Sequence, residues 1–258
     1  MAISLIAKGM VALGVEVAEL SPEMGALQLA SANAIGASTM ATLWIVLVML
    51  CSTPHPCFCA DLGENLLAGV DEAGRGPLAG PVVAAAVILC KPRPGGLDDS
   101  KKLSAARRAV LDQQIRARCA WGIGVVDVDA IDQINIFQAT MLAMSHAVAN
   151  LCSAIGRDPV QVLIDGNMTP AGRRSEWRWN ARAIVGGDAL EPSISAASII
   201  AKEYRDRLMA SAANEHPHYG WERNKGYGTQ EHIEALRQHG PTPLHRRSFA
   251  PVAQLTLL

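Results

Sequence analysis

The sequence predicts an α/β protein in which a sheet is layered with helices. Two observations carry this reading: apolar runs of strand length recur along the chain, and one long segment repeats its apolar residues at the helical spacing. The predicted strands are 66–71, 81–89, 121–127, 160–165 and 181–186, with only a short turn and no long helix between the first pair. Over 128–152 the stripe Phe137, Met141, Met144, Val148 and Leu151 falls near the helical repeat, so these residues are expected to pack into a core. Further helices are predicted at 104–118, at 193–213 behind Pro192, and at 229–239, which Gly240-Pro241 closes.

Chemistry concentrates at 69–80, where Asp71 and Glu72 end an apolar run and Gly74-Arg75-Gly76 follows at once. Adjacent carboxylates suit a hard divalent cation, and an open backbone beside a guanidinium suits phosphate. Such an ion takes about six oxygens, some from water and substrate, so further acids must come from elsewhere in the chain. Two isolated acids in apolar settings meet that need. Asp165 terminates Val160-Gln161-Val162-Leu163-Ile164 before a Gly-Asn turn, where a mere solubility charge would be out of place. Asp188 ends a second strand-like run after Gly186-Gly187; complementing the dipole of the helix that follows is its alternative role.

Charge distribution says more than its sum. A formal net charge of −1 argues against a strongly basic nucleic-acid binder. Residues 1–64 carry one basic and five acidic side chains, while residues after 172 carry 12 Lys and Arg against 9 Asp and Glu. A modestly positive C-terminal third beside an acidic pocket suits a polyanion held by metals and a limited clamp. Nucleotide-phosphate binding by a lysine loop is excluded, because no Gly-Lys-Ser/Thr follows Gly74–Gly80. No Gly-x-Ser-x-Gly nucleophile elbow is present either. The six cysteines form no metal-ligand spacing, Cys57 and Cys59 being only one residue apart, and the others read as small core residues in a reducing compartment. His216-Pro217-His218 reads as a solvated loop.

Six blocks, in order, resemble the ribonuclease HII family, the type 2 ribonucleases H. They are Asp71–Gly76, Asp99–Ser104, Ile164–Asn167, Gly187-Asp188 with Ser193–Lys202, Lys225–Thr229 and His245–Phe249. The resemblance spans roughly residues 65–252. It implies the ribonuclease H-like fold, a five-stranded mixed sheet flanked by helices, with a helical C-terminal extension from about residue 215. It implies that Asp71, Glu72, Asp165 and Asp188 are the catalytic and metal-binding acids, holding two Mn²⁺ or Mg²⁺ ions. It further implies that Gly74, Arg75 and Gly76 contact the ribonucleotide, that Tyr227 stacks on the neighbouring sugar, and that Ser100, Lys101 and Lys202 contact the nucleic acid. Lys102 and Arg205 are expected to be solvated. The substrates implied are RNA/DNA hybrids and DNA duplexes containing ribonucleotides, cut by a cytoplasmic monomer. A hybrid-binding module without activity is the alternative, which the four intact acids oppose. The sibling ribonuclease HIII family carries a substantial N-terminal substrate-binding domain that this chain does not resemble.

Residues 1–64 fall outside the resemblance. From Met24 to Ala60 there is no Asp, Glu, Lys or Arg, and Met40–Cys51 is nearly all apolar. Taken with the milder Ala34–Thr39, that run approaches but does not reach the roughly 20 residues needed to span a bilayer. The expectation is an apolar extension outside the functional enzyme, with the catalytic domain at 65–258; a membrane-anchored form of the same nuclease is the alternative.

Overall fold

The computed structural model describes residues 62, 66–98 and 100–255; the expectations for the apolar N-terminal stretch, for Cys51, Cys57 and Cys59, and for Asp99 lie outside them. Strands β1 (Leu67–Ala73), β2 (Val82–Ile88), β3 (Ala120–Val126), β4 (Gln161–Asp165) and β5 (Ala181–Ile184) form one sheet in the order β3-β2-β1-β4-β5. The chain turns back on itself through β1, β2 and β3, which pair antiparallel. β4 then joins β1 in parallel and β5 joins β4 in parallel, giving the mixed sheet expected.

All seven residues of β2 are buried, because both sheet faces are covered and the strand reads as a continuous apolar run. Its side chains alternate: Val82, Ala84, Ala86 and Ile88 enter the core under helix α2 (Val128–Ile155), and Val83, Ala85 and Val87 enter the core under α1 (Ala105–Arg118) and α4 (Pro192–Glu215). The expected stripe on α2 lies in the first of these cores, with Phe137 at its margin. Cys90 and Cys119 meet in the second core as free buried thiols, their Sγ atoms 3.2 Å apart.

Helix α2 departs from the continuous helix predicted for 128–152. At Asn135 the backbone turns to φ 65°, ψ 162°, and the Asn135 side chain accepts hydrogen bonds from the amides of Phe137 and Gln138. The periodicity survives the break because the Asn135 side chain caps the helix that restarts after it.

Helix α4 approaches the sheet unusually closely. A Cβ built on Gly69 would stand 2.1 Å from the Ser193 carbonyl carbon and 2.3 Å from the Ile194 nitrogen, so only glycine admits the helix backbone here. Beyond the short α3 (Gly187–Leu190), α4 runs out to Glu215 and the chain enters the helical extension. A 3-10 turn (Pro217–Tyr219), α5 (Trp221–Asn224), α6 (Gln230–His239) and α7 (Ala250–Leu255) enclose a third apolar cluster with Leu78, Met209, Tyr219, Trp221 and Val252. The solvated loop expected at 216–218 is corrected in part. His218 is exposed and stacks on His239, whereas His216 is half-buried with its ring 5.5 Å from that of Trp221.

Within this extension His232 and His245 are buried, with Nε2 atoms 3.1 Å apart. The Thr242 amide donates to His245 Nδ1, which leaves the His245 proton on Nε2, facing His232. His232 therefore accepts at Nε2 and donates from Nδ1 to the Tyr227 carbonyl. Both rings are neutral in this arrangement.

Two outcomes follow from this packing. Gly69→Ala should destabilise the fold by about 3 kcal/mol, the upper range for overpacking, because its neighbours are backbone atoms; urea unfolding measures it. Burial, then the neighbouring His232 and His216, push the His245 imidazole down to about 3. The unfolded chain thus takes up a proton below about pH 6.5 that the folded chain refuses. Stability present above that pH should be lost as pH falls from about 6.5 toward about 3. Urea midpoints at pH 7 and 5 should differ less in His245→Asn than in the parent.

Candidate active site

Parallel pairing of β1, β4 and β5 brings three carboxyl ends together, the edge at which open α/β sheets place their ligands. Asp71 lies near the end of β1, one residue beyond the Val70–Ile164 pair, and Asp165 is the last residue of β4. Asp188 follows β5 in the first turn of α3. One carboxylate oxygen from each of Asp71, Asp165 and Asp188 lies within 4.8 Å of the others. Among the described residues this is the only such group of metal-ligating side chains.

Helix α4 fixes the cluster from one side. Ser195 Oγ donates to the Asp188 carbonyl at 2.6 Å, and the Asp188 amide lies 3.4 Å from Asp165 Oδ1. Ser198 hydrogen-bonds Asp71 and, at 2.8 Å, the hydroxyl of Ser100. Burial raises the Asp71 carboxyl well above the ordinary range, and the Glu72 and Asp165 charges raise it further, against the lowering by Ser198. A pocket that disfavours its own negative charge in this way fits a divalent cation, whose charge would reverse the balance. Asp71, Asp165 and Asp188 are the residues that would hold it.

Glu72 is placed differently from its three companions. It follows Asp71 on the strand and lies outside the tight group, yet near enough that its charge raises Asp71 and the Asp165 charge raises its own carboxyl. Its own carboxyl is raised by burial and opposed by Arg75, whose Nη1 sits 3.2 Å from Glu72 Oε1. The arginine of the glycine-flanked element thereby joins the acid site.

The residues expected to contact the ribonucleotide also meet. Gly74 has φ +96°, and a Cβ on it would strike the Arg205 side chain at 2.0 Å. Arg75 and Gly76 are exposed, and the Tyr227 ring stands 3.7 Å from where a Gly76 Cβ would be. The Leu78 amide donates to the Gly226 carbonyl at 2.8 Å, pinning the Gly74–Pro81 loop to the turn that carries the half-exposed Tyr227.

The cationic residues divide. Lys101 is exposed, as is Lys102, which lies 3.8 Å from Asp98. Lys202 Nζ lies 2.5 Å from the Asp206 carboxylate, so a phosphate would have to compete with that partner. Ser100 is buried beneath the turn, its hydroxyl spent on Ser198, and Arg108 braces the turn through the Ser100 and Leu103 carbonyls. Arg205 is the clear correction: it is buried rather than solvated, because its guanidinium finds three backbone carbonyls. Sequence reasoning also passed over Ser198 and Arg246, although both stand inside motif blocks; a lone serine within the apolar stretch Ala196–Ala201 was the available signal for Ser198.

A mixed five-stranded sheet with an acidic cluster at its parallel edge defines the class of protein: a metal-dependent nuclease of ribonuclease H-like fold. A family model described as Ribonuclease HII matches residues 68–252. A ribonuclease HII of Novosphingobium aromaticivorans is 74% identical over 192 residues, covering 74% of this chain and 98% of that protein. One from Erythrobacter litoralis is 68% identical, covering 75% and 92%. Among solved structures, ribonuclease H2 from Pyrococcus horikoshii superposes with a TM-score of 0.56 at 24% identity, covering 73% of this chain and 96% of that one. The ribonuclease HII in a PCNA complex from Archaeoglobus fulgidus gives 0.55 at 25% identity, covering 70% and 93%. The chain belongs to the ribonuclease HII family, metal-dependent endoribonucleases that hydrolyse the RNA strand of RNA/DNA hybrids.

Asp71→Asn and Asp165→Asn should each lower cleavage by more than the 10–100-fold typical of changes outside a ligand set. Because Asp71 is penalised as an anion, its Asn variant should unfold in chelator no earlier than the parent. Gel-based cleavage and thermal melting check the two halves.

Proposed function

We propose that this enzyme cuts the phosphodiester on the 5′ side of a ribonucleotide, in hybrids and at single ribonucleotides embedded in duplex DNA, leaving 3′-hydroxyl and 5′-phosphate ends. The observation that carries the reading is the convergence of Asp71, Asp165 and Asp188 beside the exposed Arg75-Gly76 element and Tyr227. Two Mn²⁺ or Mg²⁺ ions held by these aspartates and Glu72 would supply an activated water and neutralise charge developing on the phosphate.

The chain's own residues do the selecting. Backbone amides at Arg75 and Gly76 can approach a ribose closely, where the 2′-hydroxyl is the local mark of RNA. The Tyr227 ring stands beside Gly76, in position to stack on the adjoining sugar. Arg75 exchanges its contact with Glu72 for the scissile region's phosphate, and Lys101 and Lys202 add sequence-independent charge along the backbone. The reading extends to a cytoplasmic monomer, with 65–258 as the catalytic domain. Among the described residues no helix is long and apolar enough to cross a membrane.

A duplex with one embedded ribonucleotide, an all-DNA duplex of the same sequence and an RNA/DNA hybrid, each assayed with Mg²⁺, Mn²⁺ or chelator, test this. Cleavage should occur on the first and third only, 5′ of a ribonucleotide, and vanish with chelator. Cutting of the all-DNA duplex, or activity that survives chelation, would contradict it.

A further inference from the structure

Arg205 and Arg246 are 1% and 0% exposed, and neither lies within 4.0 Å of a carboxylate among the described residues. Burying two like charges with no carboxylate in contact is expensive, the Asp206 and Asp132 charges acting on them only from beyond ion-pair distance, and an apolar pair of similar volume would ordinarily serve a core better. Burial holds their pKa values down at about 10 and about 9, so both stay cationic at neutral pH. A role beyond packing has to account for them.

Their donors account for it. Arg246 donates from Nε to the Gly80 carbonyl, from Nη1 to Arg75, and from Nη2 to Gly74 at 2.6 Å and Gly80 at 2.7 Å. Arg205 donates from Nε to the Pro81 carbonyl, from Nη2 to Ala79 and from Nη1 to Lys225, all at 2.9–3.0 Å. Six carbonyls from the Gly74–Pro81 loop and the Tyr227 turn are thus drawn inward onto two guanidinium forks. In a trans peptide the N–H points opposite to the C=O. With the Gly74 and Arg75 carbonyls on Arg246, the N–H groups of Arg75 and Gly76 face the other way, to the open side beside Tyr227. Hydrogen bonds from a cation to those carbonyls also polarise the same peptides and strengthen their N–H donors.

We infer that Arg205 and Arg246 are positioning residues for ribonucleotide recognition, which aim the Arg75 and Gly76 amides and the Tyr227 ring at one sugar and so set selectivity for ribose without touching the nucleic acid. Arg246 orients the amide pair. Arg205 fixes the Tyr227 turn against the same loop through Lys225. This inference deepens the proposed function and rests on it.

Arg246→Lys and Arg205→Lys test it, since lysine keeps the charge but lacks the planar fork. The readouts are kcat/KM on the single-ribonucleotide duplex, the inhibition constant of the all-DNA duplex as competitor, Mn²⁺ affinity by calorimetry, and the melting midpoint. In either variant kcat/KM should fall about tenfold or more, the loss expected when a donor is misaimed, mainly through KM. Competition by the all-DNA duplex and Mn²⁺ affinity should stay within about twofold, a range worth under half of one tenfold step in affinity. Unchanged selectivity, or a parallel weakening of ribonucleotide and all-DNA duplexes, would overturn the inference. Should Arg246→Lys fail to fold, the same comparison in Arg205→Lys decides. If the parent enzyme itself fails to cut the single-ribonucleotide duplex, the proposed function falls, and that outcome is distinct from a defect confined to the variants.

Discussion

Crowding of three carboxylates at one sheet edge, with Asp71 buried among them, is the constraint around which this molecule is arranged. Asp71, Asp165 and Asp188 would separate if they sat on loops; they are held because three adjacent strands run parallel and end at one edge. The Asp71 carboxyl, pushed up by burial and by its neighbours, registers the tension that remains. Hydrogen bonds from Ser198 and to the Asp188 carbonyl hold the geometry without removing the charge. The fold is thus stabilised elsewhere, chiefly by the cores on either sheet face, while its functional edge stays electrostatically poised for cations.

Helix α4 transmits this order across the molecule. Admitted against β1 by Gly69, it carries Ser195, Ser198, Lys202, Arg205 and Met209 at spacings of three and four, which is one helical face. The first two brace the acids. Arg205, about two turns further on, gathers the Gly74–Pro81 loop, and Met209 enters the C-terminal cluster. One rigid helix therefore sets the distance between the groups that would hold metal and the groups that would read the sugar. The C-terminal segment closes the loop from the opposite side through Arg246, and through His232 on the Tyr227 carbonyl.

What was legible in the sequence was whatever a period or an isolated charge could express. β2 reads as buried because seven apolar residues run together, and the α2 stripe reads as core because its spacing fits a helix. Asp165 and Asp188 are visible because each ends an apolar run. The Asn135 break was hidden, since the apolar repeat continues across it. Arg205 and Arg246 were hidden for another reason: a buried arginine satisfied by carbonyls looks, in sequence, the same as a solvated one. The partners of Ser100 and Lys202 lie 98 and 4 residues away, Ser198 and Asp206, and nothing local told a phosphate contact from a partner already engaged. Long-range polar satisfaction is what one chain's pattern cannot carry.

Anomalous scattering from crystals of the enzyme grown with Mn²⁺ tests the central claim most directly. The account predicts a manganese peak in contact with carboxylate oxygens of Asp71, Asp165 and Asp188. Manganese bound elsewhere, with those three carboxylates left without a metal at saturating Mn²⁺, would contradict it.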